Sequence, residues 1–197
     1  HNARNGLQQV IASLRRVINR AAPGLGNHLV LTDPNGYRLD ILASEIDVRH
    51  FDQKYAEARA HRHPRRALQL VDEALGLWRG RPFGEVEGRH LLRAEAARLV
   101  EMHDDAIDLR IEHLLALGHT EQAVTELQTI VLSTPLREHR WELLMLGLYR
   151  QGRQSEALQS MQRVRNLLAD ITGLLPGPAL RLLEAKILAH DSALLAS

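Results

Sequence analysis

The chain has 197 residues, of which 45% are hydrophobic, with 25 Lys and Arg against 24 Asp and Glu. That is enough apolar content for one good-sized core or two smaller ones, and too much for a disordered chain. Near-neutral charge excludes an overall basic field, so any affinity for nucleic acid has to come from an uneven distribution of charge. The absence of cysteine excludes disulfides, thiolate zinc sites and cysteine nucleophiles, and fits a reducing cytoplasm, where the chain is expected to work.

Charge is in fact unevenly placed. Between His1 and Arg20 stand four arginines, Arg4, Arg15, Arg16 and Arg20, and no acid. Over the same stretch Leu7, Ile11, Leu14 and Ile18 recur at helical spacing, with Val10 and Val17 widening the stripe, which predicts one amphipathic helix over residues 4–20. After the breaker run Ala22-Pro23-Gly24-Leu25-Gly26, the apolar Leu29-Val30-Leu31 meets the turn tetrad Asp33-Pro34-Asn35-Gly36, and Tyr37 to Ile41 alternates at period two. This pattern predicts a β-hairpin. One helix and a two-stranded hairpin do not make an independent core, so residues 1–45 are expected to be the later part of a domain that begins upstream or borrows surface.

The connection to the next segment, Leu42 to Asp47, is short and carries the large apolar residues Leu42 and Ile46. A flexible tether would be longer and richer in Gly, Ser or charge. A packed junction is therefore expected, with Ile46 between the domains and Asp47 capping the helix that holds Phe51 and Tyr55.

From residue 46 to 197 the periodicity is helical throughout. The segment LGHTEQAVTEL (Leu117 to Leu127) recurs in pattern as QGRQSEALQSM (Gln151 to Met161), pairing Gly118 with Gly152 and Ala123 with Ala157. The offset, 152 − 118 = 34, is the tetratricopeptide period. Glycine permits the tight turn between antiparallel helices, and alanine lets them approach closely. Pro135 is expected at the start of the next helix, whose bulky packing pair is Trp141 and Leu144. A weaker copy, Arg65 to Leu77, places Ala67 at the alanine position, ahead of a Gly- and Pro-rich loop and a long helix over about residues 89–117.

In order along the chain, the segments ARNGLQQVIASLRRVI, NGYRLDI, EALGLWRGRPF, PLREHRWELLMLGLYRQGRQSEAL and LPGPALRLLEAKIL resemble the Streptomyces antibiotic regulatory protein family and its bacterial transcriptional activator domain. The resemblance implies a mainly α chain: a tetratricopeptide-like helical repeat domain over residues 46–197, preceded over residues 1–45 by the recognition helix and β-hairpin wing of a truncated winged-helix domain. It also implies a DNA-binding transcriptional activator whose partners are double-stranded promoter DNA, RNA polymerase or a sigma factor, and a second protomer.

The residues of the first helix give this partial support. At 100° per residue, the face opposite the apolar stripe carries Asn5, Gln9, Ala12, Ser13, Arg16, Asn19 and Arg20. Amides and arginines there suit base edges in a major groove, with Arg4 and Arg15 on the flanks and Arg38 on the wing suited to phosphates. Ser13 and Val10 stand where members of the family commonly carry larger polar groups, so this helix has fewer long donors. The alternative is a protein-interaction scaffold in which the repeats present a concave surface and the DNA-binding module is degenerate.

Other chemistries find no support. The eleven histidines, including His61 and His63 around Arg62 and the pair His113 and His119, show no zinc-binding spacing. The loop Gly80 to Gly88 lacks Gly-Lys-Ser/Thr, and no GxGxxG or GxSxG occurs. No catalytic residue, metal or cofactor is expected, nor an enzyme, and no apolar run reaches the length of a membrane span.

Overall fold

Twenty residues free of proline and acid, Asn2–Ala21, form helix α1, which stops at Ala22-Pro23-Gly24, where Gly24 takes a left-handed conformation. The computed structural model describes residues 2–41, 46–84 and 90–195, without the side chains of residues 2–4, 90 and 91. The chain divides into two compact units, His1–His50 and Phe51–Ser197.

In the first unit, the expected hairpin is present: β1 (Val30–Asp33) pairs antiparallel with β2 (Gly36–Leu39), Val30 opposite Leu39 and Asp33 opposite Gly36, so that Pro34 and Asn35 make the turn. The segment read as a breaker run and the start of a strand is instead a short helix, α2 (Leu25–Leu29). Tertiary contact explains it. The Gly26 amide donates to Asn19 Oδ1 at 2.7 Å, and a Cβ on Gly26 would sit 2.4 Å from the Arg15 carbonyl oxygen. Backbone thus lies on backbone where only glycine fits. Strand β2 ends at Leu39 rather than Ile41, although the Asp40 amide still donates to the Leu29 carbonyl at 2.8 Å.

The second unit is helical throughout its described residues. Its elements are α3 (Asp47–Ala60, starting just before the unit boundary), α4 (Pro64–Leu75), α5 (His90–Ala116), α6 (Thr120–Ser133), α7 (Glu138–Arg150), α8 (Gln154–Thr172) and α9 (Pro178–Leu188), closed by a 3-10 turn, Ser192–Leu195. Leu42 to Glu45 of the expected junction lie outside the described residues; Ile46 is half-buried. At the start of α3 the Ile46 carbonyl accepts the amides of Arg49 and His50 at 3.0 and 3.1 Å. Ile46 therefore takes the capping position expected for Asp47, which is the first helical residue and accepts the Val48 amide at 2.9 Å.

Two cores form. Phe51, Ala58, Leu70, Val71, Ala74 and Ala106 make the first, with Tyr55 and Trp78 against it; α5 to α9 enclose the second, around Trp141, Met145, Leu127 and Met161. The repeat is carried by matched corners. The His119 amide donates to the Leu114 carbonyl and the Arg153 amide to the Leu148 carbonyl, both at 2.9 Å, around Gly118 at φ 77° and Gly152 at φ 74°. Such a left-handed glycine closing a six-to-one hydrogen bond is how a helix ends sharply. Ala123, Ala157 and Ala67 are all fully buried. Helix α7 starts at Glu138, three residues after Pro135, because Pro135 lies in the turn before it and its carbonyl accepts the Trp141 indole N–H at 3.0 Å.

Candidate nucleic-acid interface

Helix α1 displays the polar face that its sequence predicts. Asn5, Gln9, Ala12, Ser13, Arg16 and Arg20 are exposed, and among the described residues neither Arg16 nor Arg20 pairs with a carboxylate. Arg4 belongs to the same helix, but its side chain lies outside the described residues. On β2, Arg38 is exposed and donates to Asp40 Oδ1 at 2.9 Å, an exposed ion pair of the weak surface kind.

Arg15 and Asn19 differ from the other polar residues of α1. Arg15 Nε and Nη2 both donate to the Val30 carbonyl, at 3.0 and 2.6 Å, and Nη2 also donates to Thr32 Oγ1 at 2.9 Å. The same guanidinium lies 5.8 Å from the centre of the Tyr37 ring. Asn19 holds the α2 backbone through Gly26. Both residues fix the hairpin and α2 onto α1, which positions the wing relative to the exposed polar face. No local pattern could have revealed this, since the partners of Arg15 come 15 and 17 residues later.

Among the described residues, much of the apolar side of α1 is exposed. Leu7, Val10, Leu14 and Val17 are 40–63% exposed, while Ile11 and Ile18 are half-buried. The stripe that predicted the helix is therefore present as a surface, beside the polar face.

In the second unit the charged side chains organise differently. Helix α5 sets Glu101, Asp104, Asp105 and Asp108 on one face, at the i, i+3, i+4, i+7 spacing of a helical stripe. Arg140, only 1% exposed, donates to Asp108 Oδ1 at 2.5 Å, to Asp104 Oδ1 at 2.8 Å, to the Asp104 carbonyl at 3.0 Å and to Thr134 Oγ1 at 2.6 Å. Arg137 bonds Asp105 and Asp108 at 3.1 Å and reaches Glu101 as well. This network answers the desolvation of a buried guanidinium with several charged acceptors. It clamps the start of α7 on α5, and its members, 29 to 36 residues apart, read in the sequence as ordinary dispersed charges.

Among the described residues no three His, Asp or Glu side chains converge as metal ligands would, and no helix is long and apolar enough to cross a membrane.

Residues 46–188 match the family model described as the bacterial transcriptional activator domain. Over 197 residues the chain is 38% identical to the transcriptional regulator RedD of Streptomyces coelicolor, covering 98% of this chain and 56% of that protein. It is 34% identical to the regulatory protein AfsR of Streptomyces griseus, over 94% of this chain and 19% of that one. With the regulatory protein DnrI of Streptomyces peucetius it shares 31% identity across 94% of this chain and 71% of that protein. Among solved structures it resembles Mycobacterium tuberculosis EmbR, described in complex with a low-affinity phosphopeptide, with a TM-score of 0.85 and 29% identity over 96% of this chain and 51% of that chain. The chain thus spans about half of RedD and EmbR and a fifth of AfsR.

Proposed function

Since the chain belongs to the Streptomyces antibiotic regulatory protein family, with a bacterial transcriptional activator domain as its helical part, we propose that it serves a DNA-binding transcription activator, α1 lying in the major groove and the β1–β2 hairpin acting as the wing. The observation that carries the reading is the division of labour on α1. Arg15 and Asn19 bind the hairpin and α2, while Gln9, Ser13, Arg16 and Arg20 stand exposed on the adjoining face, the two arginines without carboxylate partners among the described residues. A recognition helix needs both: donors free to meet base edges, and a rigid frame that sets their register.

Arg16 is the reader in this proposal, through the bidentate donor geometry that suits guanine. Gln9, Asn5 and Ser13 contribute shorter polar contacts, whereas Arg20, Arg4 and Arg38 approach phosphates. Arg15 acts through the wing it holds. The helical unit would supply the contacts with a second protomer and with RNA polymerase or a sigma factor, and no reaction of its own is assigned to the chain.

Selection from a random duplex pool with the full-length protein tests this. A defined motif should be enriched, and Arg16→Ala should weaken binding to that motif by about 1–3 kcal/mol while relaxing the preference at one base pair. An equal loss on every sequence would make Arg16 a phosphate clamp, and enrichment of no motif would overturn the reading.

A further inference from the structure

We propose that the corner between α3 and α4 is a second surface for nucleic acid, one that grips the phosphate backbone of duplex DNA without reading its sequence. Residues 59–66 read Arg-Ala-His-Arg-His-Pro-Arg-Arg, with no carboxylate among them. Arg59, His61, Arg62, His63, Arg65 and Arg66 are all exposed. Arg66 lies 4.0 Å from Glu73, whose carboxylate is already held by Lys54 at 2.5 Å and Gln69 at 3.0 Å. Arg59, Arg62 and Arg65 pair with no carboxylate among the described residues.

Six other arginines of the second unit, Arg98, Arg110, Arg137, Arg140, Arg153 and Arg165, each hold an acid. Arg93, Arg163 and Arg181, which pair with none among the described residues, stand apart from one another in the sequence rather than gathered at one corner. The corner is also a shaped feature. His61 Nδ1 accepts the His63 amide at 3.2 Å across the turn, Pro64 opens α4, and the Arg59 guanidinium rests 5.7 Å from the centre of the Tyr55 ring. The positive groups are therefore presented from a defined turn between two packed helices.

Duplex DNA fits this surface better than a folded acidic protein does. A specific protein interface buries an apolar or aromatic centre ringed by polar groups, and residues 59–66 offer no large apolar side chain. Phosphates ask only for guanidinium donors and release counterions when they are met. The proposal stands whether or not α1 reads base edges, because it uses residues of the other unit alone.

The experiment measures binding of the full chain to a fluorescently labelled duplex of arbitrary sequence between ~50 and ~200 mM salt. The triple variant Arg59→Gln, Arg62→Gln, Arg65→Gln should show a slope of log K against log salt shallower by about 2–3, at about 0.9 for each phosphate contact removed. Its thermal unfolding midpoint should stay as in the parent, since all three side chains are exposed. The triple lysine variant, which keeps the charge, should keep the slope. Replacing Arg16 and Arg20 instead tests the α1 reading separately, and the two reductions should add. A triple glutamine variant with the parental slope overturns the proposal. So does one that keeps its DNA slope but loses affinity for poly-glutamate, which would assign the corner to an acidic protein.

Discussion

Arg15 and Val30 meet across the first unit: two nitrogens of one guanidinium donate to a single carbonyl at 3.0 and 2.6 Å, from the middle of α1 to the first residue of β1. Val30 itself is buried, so this bond joins helix and hairpin where water has little access, and it adds to the hydrogen bond with Thr32.

Removing it should free the hairpin before it unfolds anything else. Arg15→Ala is expected to cost about 1.5–3 kcal/mol locally, the range for hydrogen bonds to charged donors. Amide exchange across Val30 to Leu39 should rise while that of α5 to α8 is unchanged. Arg15→Lys should restore little, because an ammonium does not reproduce the fork. Unaltered exchange in Arg15→Ala would show that β1 is held by other contacts.

Arg140 tests the buried network. Arg140→Ala leaves Asp104 and Asp108 with Arg137 as their remaining cation and removes the buried guanidinium between them, which should cost about 3–5 kcal/mol, read as a lower urea midpoint. Replacing Arg140, Asp104 and Asp108 together by apolar residues should recover part of that loss. A loss under 1 kcal/mol, on the scale of surface pairs, would show that water reaches the aspartates.

The matched corners and their alanines separate two kinds of strain. Gly118→Ala and Gly152→Ala have open space around the new methyl but force a side chain into left-handed backbone, at about 1–2 kcal/mol. Asparagine at either place should cost less. Ala123→Leu and Ala157→Leu fail for lack of room and should cost about 1–3 kcal/mol. Gly147→Ala belongs with these, since its Cβ would come 2.8 Å from Val124 Cγ2. Thermal melts of the seven variants check the ordering, and equal melting for Ala123→Leu and parent would remove Ala123 from between the helices.

Histidines of the second unit should titrate in opposite directions. His139 Nε2 donates to Glu112 Oε1 at 2.8 Å, with Glu142 3.7 Å from its other ring nitrogen, and the bond to Glu112 holds its pKa above the usual histidine value. Its stabilisation is fully present below about pH 6.5 and is lost as the pH rises through the raised value. Burial lowers His103, stacked 4.3 Å from Trp78, and His113, whose Nε2 finds no hydrogen-bond partner among the described residues. Their contribution is present above about pH 6.5 and is lost as the pH falls through the lowered values. Ring-proton shifts measured by NMR should show the two groups on either side of an exposed histidine, and Glu112→Gln should bring His139 down. Coincident titration of all three would refute the assignment.

What the sequence reveals and what it hides differ by the range of the interaction. Gly118 and Gly152, Ala123 and Ala157 are visible because a repeat prints the same local demands at a fixed interval, and the hairpin because Asp33-Pro34-Asn35-Gly36 is itself the turn. Helix α2 is invisible because Gly26 answers to the Arg15 backbone and Asn19, seven to eleven residues earlier. The partners of Arg140 are invisible for the same reason, 32 and 36 residues away. On α1 the pattern locates the exposed face, but the separation of Arg15 from Arg16 needs the fold: adjacent arginines, one bound to the hairpin, the other left to solvent.

Helix α7 has a consequence for how the helical unit comes apart. It packs against α5, α6, α8 and α9, buries Trp141, Leu144, Met145 and Leu148 along its length, and at its start Glu138 Oε2 accepts the Gly177 amide at 2.6 Å, drawing in the loop before α9. A stack in which each repeat touched only its neighbours would peel from either end. Here α9 is tied to α7 through Gly177 and Glu138, so α9 cannot fray without loosening α7. Residues from α5 to α9 should therefore open as a single cooperative block, exchanging their slowest amides together.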